Sequence, residues 1–390
     1  MIDYSKVFNT AVSEMKPSGI RRFFDIAATM EGVISLGVGE PDFQTPWHIR
    51  KAGIASLERG KTKYTSNSGL MPLREEISRY VERKYGVKYN PENEILISVG
   101  GSEAIDGVIR AITEVGDEII IPQPSYVCYE PMTALAGGKP VIIETRAEDD
   151  FKLTAEALKA AITPKTKALI LPYPCNPTGA IMEKEDLEKI AEVLKDTNII
   201  VISDEIYAEL TFGKRHVSFA SIEGMWDRTV TINGFSKTFS MTGWRLGYAC
   251  GPKEIIKNVT KIHQYAIMCA PTTAQYAAIE ALKNGDEAVE NMKQEYDRRR
   301  KLMVSSFNEI GMTCREPKGA FYTFPSIKVS GMSSDEFCEK LLMEEKVALV
   351  PGTAFGRGGE GFIRASYCYS TEHIIEAIER TEKFLKKLGK

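Results

Sequence analysis

The chain has 390 residues, 43% hydrophobic and 26% charged, with a formal net charge of −3, which is ordinary globular composition with no basic surface for a nucleic acid or an anionic membrane. It is too long for one simple core and long enough for a large α/β domain with a smaller one beside it. No apolar run is long enough to span a bilayer, and the four histidines (His48, His216, His263 and His373) hold no metal-ligand spacing, so no metal site is expected.

The seven cysteines include no CxxC pair and read as reduced thiols in a cytoplasm. The opening Met-Ile-Asp-Tyr-Ser-Lys lacks the apolar core of a signal peptide. A Gly/Pro-rich bend follows at Gly37-Val38-Gly39-Glu40-Pro41. Residues 95–99 predict a strand, then Gly100-Gly101 and a helical pattern from Ser102. Residues 118–121 read as a strand ended by Pro122, and 141–143 as another after the Gly137-Gly138 turn. Residues 168–171 lead through Pro172 into Asn176-Pro177-Thr178-Gly179. The stretch 183–194 then has helical spacing, with Leu187, Ile190, Ala191 and Leu194 on one face. Strands are expected at 199–203 and 229–233. After Pro271 a long helical stretch runs to about Ile310, its segment Tyr296-Asp297-Arg298-Arg299-Arg300-Lys301 read as a solvated face. Strands near Phe321 and Val347 and a last helix complete the chain.

Alternating strands and helices predict an α/β fold with a mostly parallel central sheet in a large domain. That domain is expected over 46–276, with 1–45 and 277–390 forming a smaller α+β domain from both chain ends. No linker composition marks the boundaries.

Four loops follow predicted strands, and ligands of open α/β sheets sit at the carboxyl ends of strands. Gly100-Gly101-Ser102 suits either a turn with a helix cap or an anion cradle at a helix start. Asn176-Pro177-Thr178-Gly179 suits either a plain turn or an asparagine aimed at a ligand oxygen. Asp204, in Ser203-Asp204-Glu205-Ile206-Tyr207, follows a buried strand, where a carboxylate needs a partner. Capping a helix and pairing with a cationic ring nitrogen both satisfy that need. Asn233-Gly234-Phe235-Ser236-Lys237 puts a lysine just after a strand, and Arg245 lies eight residues on in Gly243-Trp244-Arg245-Leu246-Gly247. A lysine in an apolar or cationic setting can act as a neutral amine, and an arginine fork suits a phosphate.

Together these loops resemble those of the class I/II aminotransferases, the fold-type-I pyridoxal-phosphate (PLP) enzymes, from Ile34-Ser35-Leu36-Gly37 to Phe362-Ile363-Arg364-Ala365-Ser366-Tyr367. Cys175-Asn176-Pro177-Thr178-Gly179-Ala180 and Gly234-Phe235-Ser236-Lys237-Thr238-Phe239 look most like the prokaryotic subgroup that includes archaeal aromatic aminotransferases. The resemblance implies PLP bound covalently to Lys237, which would also shuttle the proton between the substrate Cα and the cofactor's C4′. It implies that Asp204 binds the ring nitrogen, that Asn176 and Tyr207 bind the ring oxygen, and that Tyr126 stacks on the ring. Gly101, Ser102, Ser236 and Arg245 would bind the phosphate, with Tyr64 reaching it from the other subunit of a homodimer. Arg364, with Asn176 and the Gly39 backbone, would hold the substrate carboxylate. Two departures stand out: Gly234 replaces a serine of many relatives, and Tyr126 replaces a tryptophan.

The implied reaction moves an amino group from an aromatic amino acid or aspartate to a 2-oxo acid such as 2-oxoglutarate. Ile20, Phe24, Tyr126 and Tyr322 are expected around the substrate side chain, and Arg21 or Arg22 at a distal carboxylate. A PLP-dependent C–S β-lyase would use the same Lys, Asp and Arg, because both reactions start at one carbanion. A non-catalytic PLP-binding regulator would add a DNA-binding segment, and the few dozen residues before the core are not basic.

Overall fold

The computed structural model describes residues 2–15 and 30–389. Its strands are β1 (Ile34–Ser35), β2 (Ile95–Ser98), β3 (Glu118–Gln123), β4 (Lys139–Glu144), β5 (Thr166–Leu171), β6 (Ile200–Asp204), β7 (Thr229–Gly234), β8 (Gly247–Cys250), β9 (Tyr322–Thr323), β10 (Val347–Ala348), β11 (Val350–Pro351) and β12 (Ile363–Ser366). Seven of them form the central α/β sheet in the order β2-β8-β7-β6-β5-β3-β4. β4, β3, β5, β6 and β7 run parallel, and β8 lies antiparallel between β7 and β2.

Strand periodicity explains why both faces are apolar. On β3, Ile119 and Ile121 pack with Ile105, Val108 and Ile109 of helix Gly101–Ile112. Ile120 points the other way, into the cluster that holds Leu187, Ile190, Ala191 and Leu194 of helix Lys184–Leu194. β5 alternates likewise, Ala168 and Ile170 against Leu169 and Leu171. The expected helical face is therefore the one that is buried.

The chain ends meet in two further, smaller sheets. β1 pairs in parallel with β10, and β9, β12 and β11 form a small antiparallel sheet. The segment 34–35 thus depends on residues more than 300 positions later.

Four expectations change. Pro122 does not end β3, which continues to Gln123 alongside β4. β5 pairs with β3 only over 118–120, so Pro122 has a strand neighbour on one side alone, where a missing N–H is tolerated. β8 was not expected: its four residues, Gly-Tyr-Ala-Cys, read as the tail of the Lys237 loop. The stretch after Pro271 is two helices, Thr272–Asn284 and Asp286–Glu309, parted at Gly285. A Cβ at Gly285 would lie 2.4 Å from the Ala281 carbonyl and 2.6 Å from the Phe239 ring. Finally, Tyr296–Lys301 is not a solvated face, because Tyr296, Arg299 and Arg300 are buried. Arg299 pairs with Asp42 and Glu295, and Arg300 with Asp297, Glu316 and the Pro317 carbonyl.

Candidate active site

The strand-end loops converge on a cavity of about 310 Å³. Gly39, Gly101, Ser102, Tyr126, Asn176, Asp204, Tyr207, Ser236, Lys237, Arg245 and Arg364 all line it. Tyr64 does not: it is 81% exposed on the surface of the chain. Ile20, Arg21, Arg22 and Phe24 lie outside the described residues. Tyr322, expected beside the substrate, lines the cavity too.

At one end is the start of helix Gly101–Ile112, one residue earlier than its sequence suggests. Gly100 precedes it with φ of +83°, and no side chain caps the helix. A Cβ on Gly100 would lie 2.6 Å from Arg245 Nη2, so glycine here allows the guanidinium to sit against the helix start. Arg245 itself adopts a left-handed φ of +53° and donates from Nη1 to the Thr242 carbonyl at 2.9 Å. Free N–H groups, a cation and two hydroxyls, Ser102 and Ser236, make this end an anion site.

Asp204 is the last residue of β6 and is buried. Its Oδ1 accepts from Ile206 N–H at 3.2 Å and its Oδ2 from the Tyr129 hydroxyl at 2.7 Å. It turns the chain without starting an α-helix, so its carboxylate remains directed at the cavity it lines. Burial pushes its pKa up to about 6, against the pull of those two donors. Tyr129 also lines the cavity and was not anticipated. Its one signal in the sequence is a place three residues after Tyr126, on the same loop.

Lys237 donates from Nζ to the Gly39 carbonyl at 2.7 Å. Burial lowers its pKa to about 8, with Arg364 and Arg245 adding to that and Glu40 opposing it. A lysine so placed is neutral in about one copy in ten at pH 7, against a far smaller fraction for an exposed lysine.

Arg364, on β12, is 3% exposed. Its guanidinium lies 4.4 Å from the Tyr322 ring centroid and 4.7 Å from that of Phe355. Nη1 donates to Asn176 Oδ1 at 2.8 Å and Nη2 to the Gly37 carbonyl at 2.5 Å, while Nε has no acceptor among the described residues. Both partners are neutral. A buried cation with neutral partners and a free N–H is a site for an incoming carboxylate. Tyr207 bonds hydroxyl to hydroxyl with Tyr322 at 2.9 Å.

Gly234 has a packing reason. A Cβ there would meet Gly247 Cα, Ile206 Cδ1 and the Leu246 carbonyl, each at 3.1 Å. β8 runs close enough that a side chain here would require these neighbours to give by a few tenths of an ångström.

Comparison with known proteins identifies the family. The family described as aminotransferase class I and II matches residues 31–380. YugH of Bacillus subtilis is 56% identical over 96% of this chain and 97% of its own. An aspartate aminotransferase of Pyrococcus abyssi is 48% identical over 96% of this chain and 97% of its own. The crystal structure of an aromatic aminotransferase from Pyrococcus horikoshii superposes with a TM-score of 0.90 at 46% identity, over 94% of this chain and 99% of that one. The chain belongs to the class I and II aminotransferases, and its chemistry is amino-group transfer.

Proposed function

We propose that this enzyme uses pyridoxal phosphate to move the amino group of an aromatic amino acid or aspartate to 2-oxoglutarate, as a homodimer. The observation that carries the proposal is one buried amine, Lys237, in a cavity that also holds Arg245 at the helix start and the carboxylate-free Arg364.

The cavity residues fit the cofactor group by group. Helix N–H groups, Arg245, Ser102, Ser236 and Gly101 suit its phosphate. Asp204 suits a protonated ring nitrogen, Tyr207 and Asn176 suit the ring oxygen, and Tyr126 offers an aromatic face. The chemistry that pyridoxal phosphate supplies when bound is an aldehyde carbon that takes up the amino group and a ring that withdraws electrons. The chain's residues do the rest. Arg364 fixes the substrate carboxylate through its free Nε and so orients Cα. Lys237, neutral in part near neutral pH, would take the proton from Cα and would deliver it to the cofactor's aldehyde carbon on the far side of the substrate nitrogen. Asp204 stays ionised above about pH 6 and keeps the ring nitrogen protonated.

The dimer proposal is supported by Tyr64, exposed although aromatic, on a segment bonded to another that carries exposed apolar groups. Asn67 donates to the Met268 carbonyl and Thr272 to the Lys63 carbonyl, while Tyr265 is 88% exposed. A twofold assembly would bring Tyr64 of one copy to the phosphate end of the other. The seven unpaired cysteines support a cytoplasmic setting. Residues 46–276 are proposed as the cofactor-binding domain, with both chain ends forming the smaller one.

Borohydride reduction of the yellow holoenzyme, followed by peptide mapping, is expected to place the cofactor on Lys237; an adduct on another lysine refutes the assignment. For the substrate, kcat/KM is compared for phenylalanine, tyrosine, aspartate and alanine with 2-oxoglutarate. If alanine exceeds both aromatic donors by more than about tenfold, a gap of about 1.4 kcal/mol, the aromatic assignment is wrong.

A further inference from the structure

Asp204 receives one side-chain hydrogen bond among the described residues, from a tyrosine. The Tyr129 hydroxyl donates to Oδ2 at 2.7 Å, and the only other donor is the Ile206 backbone N–H. The remaining ionisable groups around the carboxylate do not take that place. Glu205 is the next residue, but its own oxygens are engaged by Ser203, Ser218, His216 and the Phe219 N–H. Its charge works against a second anion beside it. Tyr126 and Cys128, on the loop before Tyr129, and Cys175, on the loop after β5, are each held protonated by burial.

Tyr129 is built to stay in place. Its side chain is 2% exposed at the first position of helix Tyr129–Leu135. The Thr133 hydroxyl bonds its carbonyl at 2.9 Å, and the Tyr126 ring meets it edge-on at 5.9 Å. Burial also keeps its own proton on. It therefore has no state near neutral pH in which it cannot donate.

We propose that Tyr129 is a positioning residue that holds Asp204 as an anion directed into the cavity. The consequence for the bound cofactor rests on the function proposed above; the effect on Asp204 itself does not. Burial favours the neutral acid, which must donate a proton of its own. The phenol rewards the ionised form, which accepts. Without it, Asp204 would hold its proton further into the working pH range and pair poorly with a protonated ring nitrogen.

The test uses the full-length chain, wild type and Tyr129→Phe, with aspartate side-chain carboxyls labelled with carbon-13. The Asp204 resonance is identified by its loss in Asp204→Asn. In cofactor-free protein, its titration midpoint is expected to rise by at least one pH unit in Tyr129→Phe, a tenfold change in the neutral-to-ionised ratio. In holoenzyme reconstituted with ring-nitrogen-15 pyridoxal phosphate, the nitrogen resonance is expected to move toward the unprotonated value. An unchanged midpoint in the cofactor-free chain overturns the proposal, whatever the holoenzyme does. A moved midpoint with an unmoved ring nitrogen leaves the effect on Asp204 standing and removes the cofactor role. Should Tyr129→Phe fail to fold, 3-fluorotyrosine at position 129 keeps the shape, strengthens the donor and still holds its phenol proton at neutral pH. The midpoint should then fall, and a rise or no change would overturn the proposal.

Discussion

Replacing Asp204 with asparagine should stabilise the cofactor-free protein at neutral pH while weakening its hold on the cofactor. The carboxyl is buried, and its pKa goes from 3.8 to about 6 on folding, mainly through desolvation. Between those values the folded chain keeps a proton that the unfolded chain has released. Stability therefore falls as pH rises through this window and levels off above about pH 6. A rise of this size corresponds to about 3 kcal/mol lost in total, roughly half of it between pH 5 and 8. Asparagine at 204 has nothing to ionise, and its amide can exchange bonds with Tyr129 and the Ile206 N–H. The difference in unfolding free energy, variant minus wild type, should thus grow by roughly 1–2 kcal/mol from pH 5 to pH 8. Urea unfolding at fixed chain concentration measures it, since the stability of the proposed dimer would depend on concentration. A difference that is flat over pH 5–8, or that grows as pH falls, would falsify the claim that folding raises the Asp204 pKa. The same variant should bind the cofactor more weakly, having lost the anion opposite the ring nitrogen.

Arg364→Leu should weaken amino-acid and oxo-acid substrates together, by about 2–5 kcal/mol in kcat/KM, with the cofactor still bound. Unchanged KM for both substrates would remove Arg364 from carboxylate recognition. Hybrid dimers of a Lys237→Ala chain with a Tyr64→Phe chain should regain one site holding both native residues. Activity that stays absent in purified hybrids would show that the sites are not shared.

What could be read in the sequence was the part that is local in the chain. Gly100-Gly101-Ser102, Asn176, Asp204 and Lys237 each lie at or within five residues of the end of an apolar run, so strand ends and chemistry-bearing residues announce one another. Tyr129 gave no such sign, since Cys128-Tyr129-Glu130-Pro131 carries no motif and its contact with Asp204 joins residues 75 positions apart. Arg299 and Arg300 looked solvated because a run of charges does not record that Asp42 and Glu316 arrive from elsewhere.

The same limit applies to the bend at 37–39, and there it bears on function. The Gly37 carbonyl holds Arg364 and the Gly39 carbonyl holds Lys237, so one short segment contacts both of these residues. A Cβ at Gly39 would lie 2.2 Å from the Tyr322 hydroxyl, which bonds Tyr207 and belongs to the ring that Arg364 lies over. Gly39 is thus required by a side chain near the other end of the sequence. A methyl group there would displace a tyrosine and two active-site cations at once. The flexibility of glycine alone would not predict so large an effect, because the constraint is the space Tyr322 already fills.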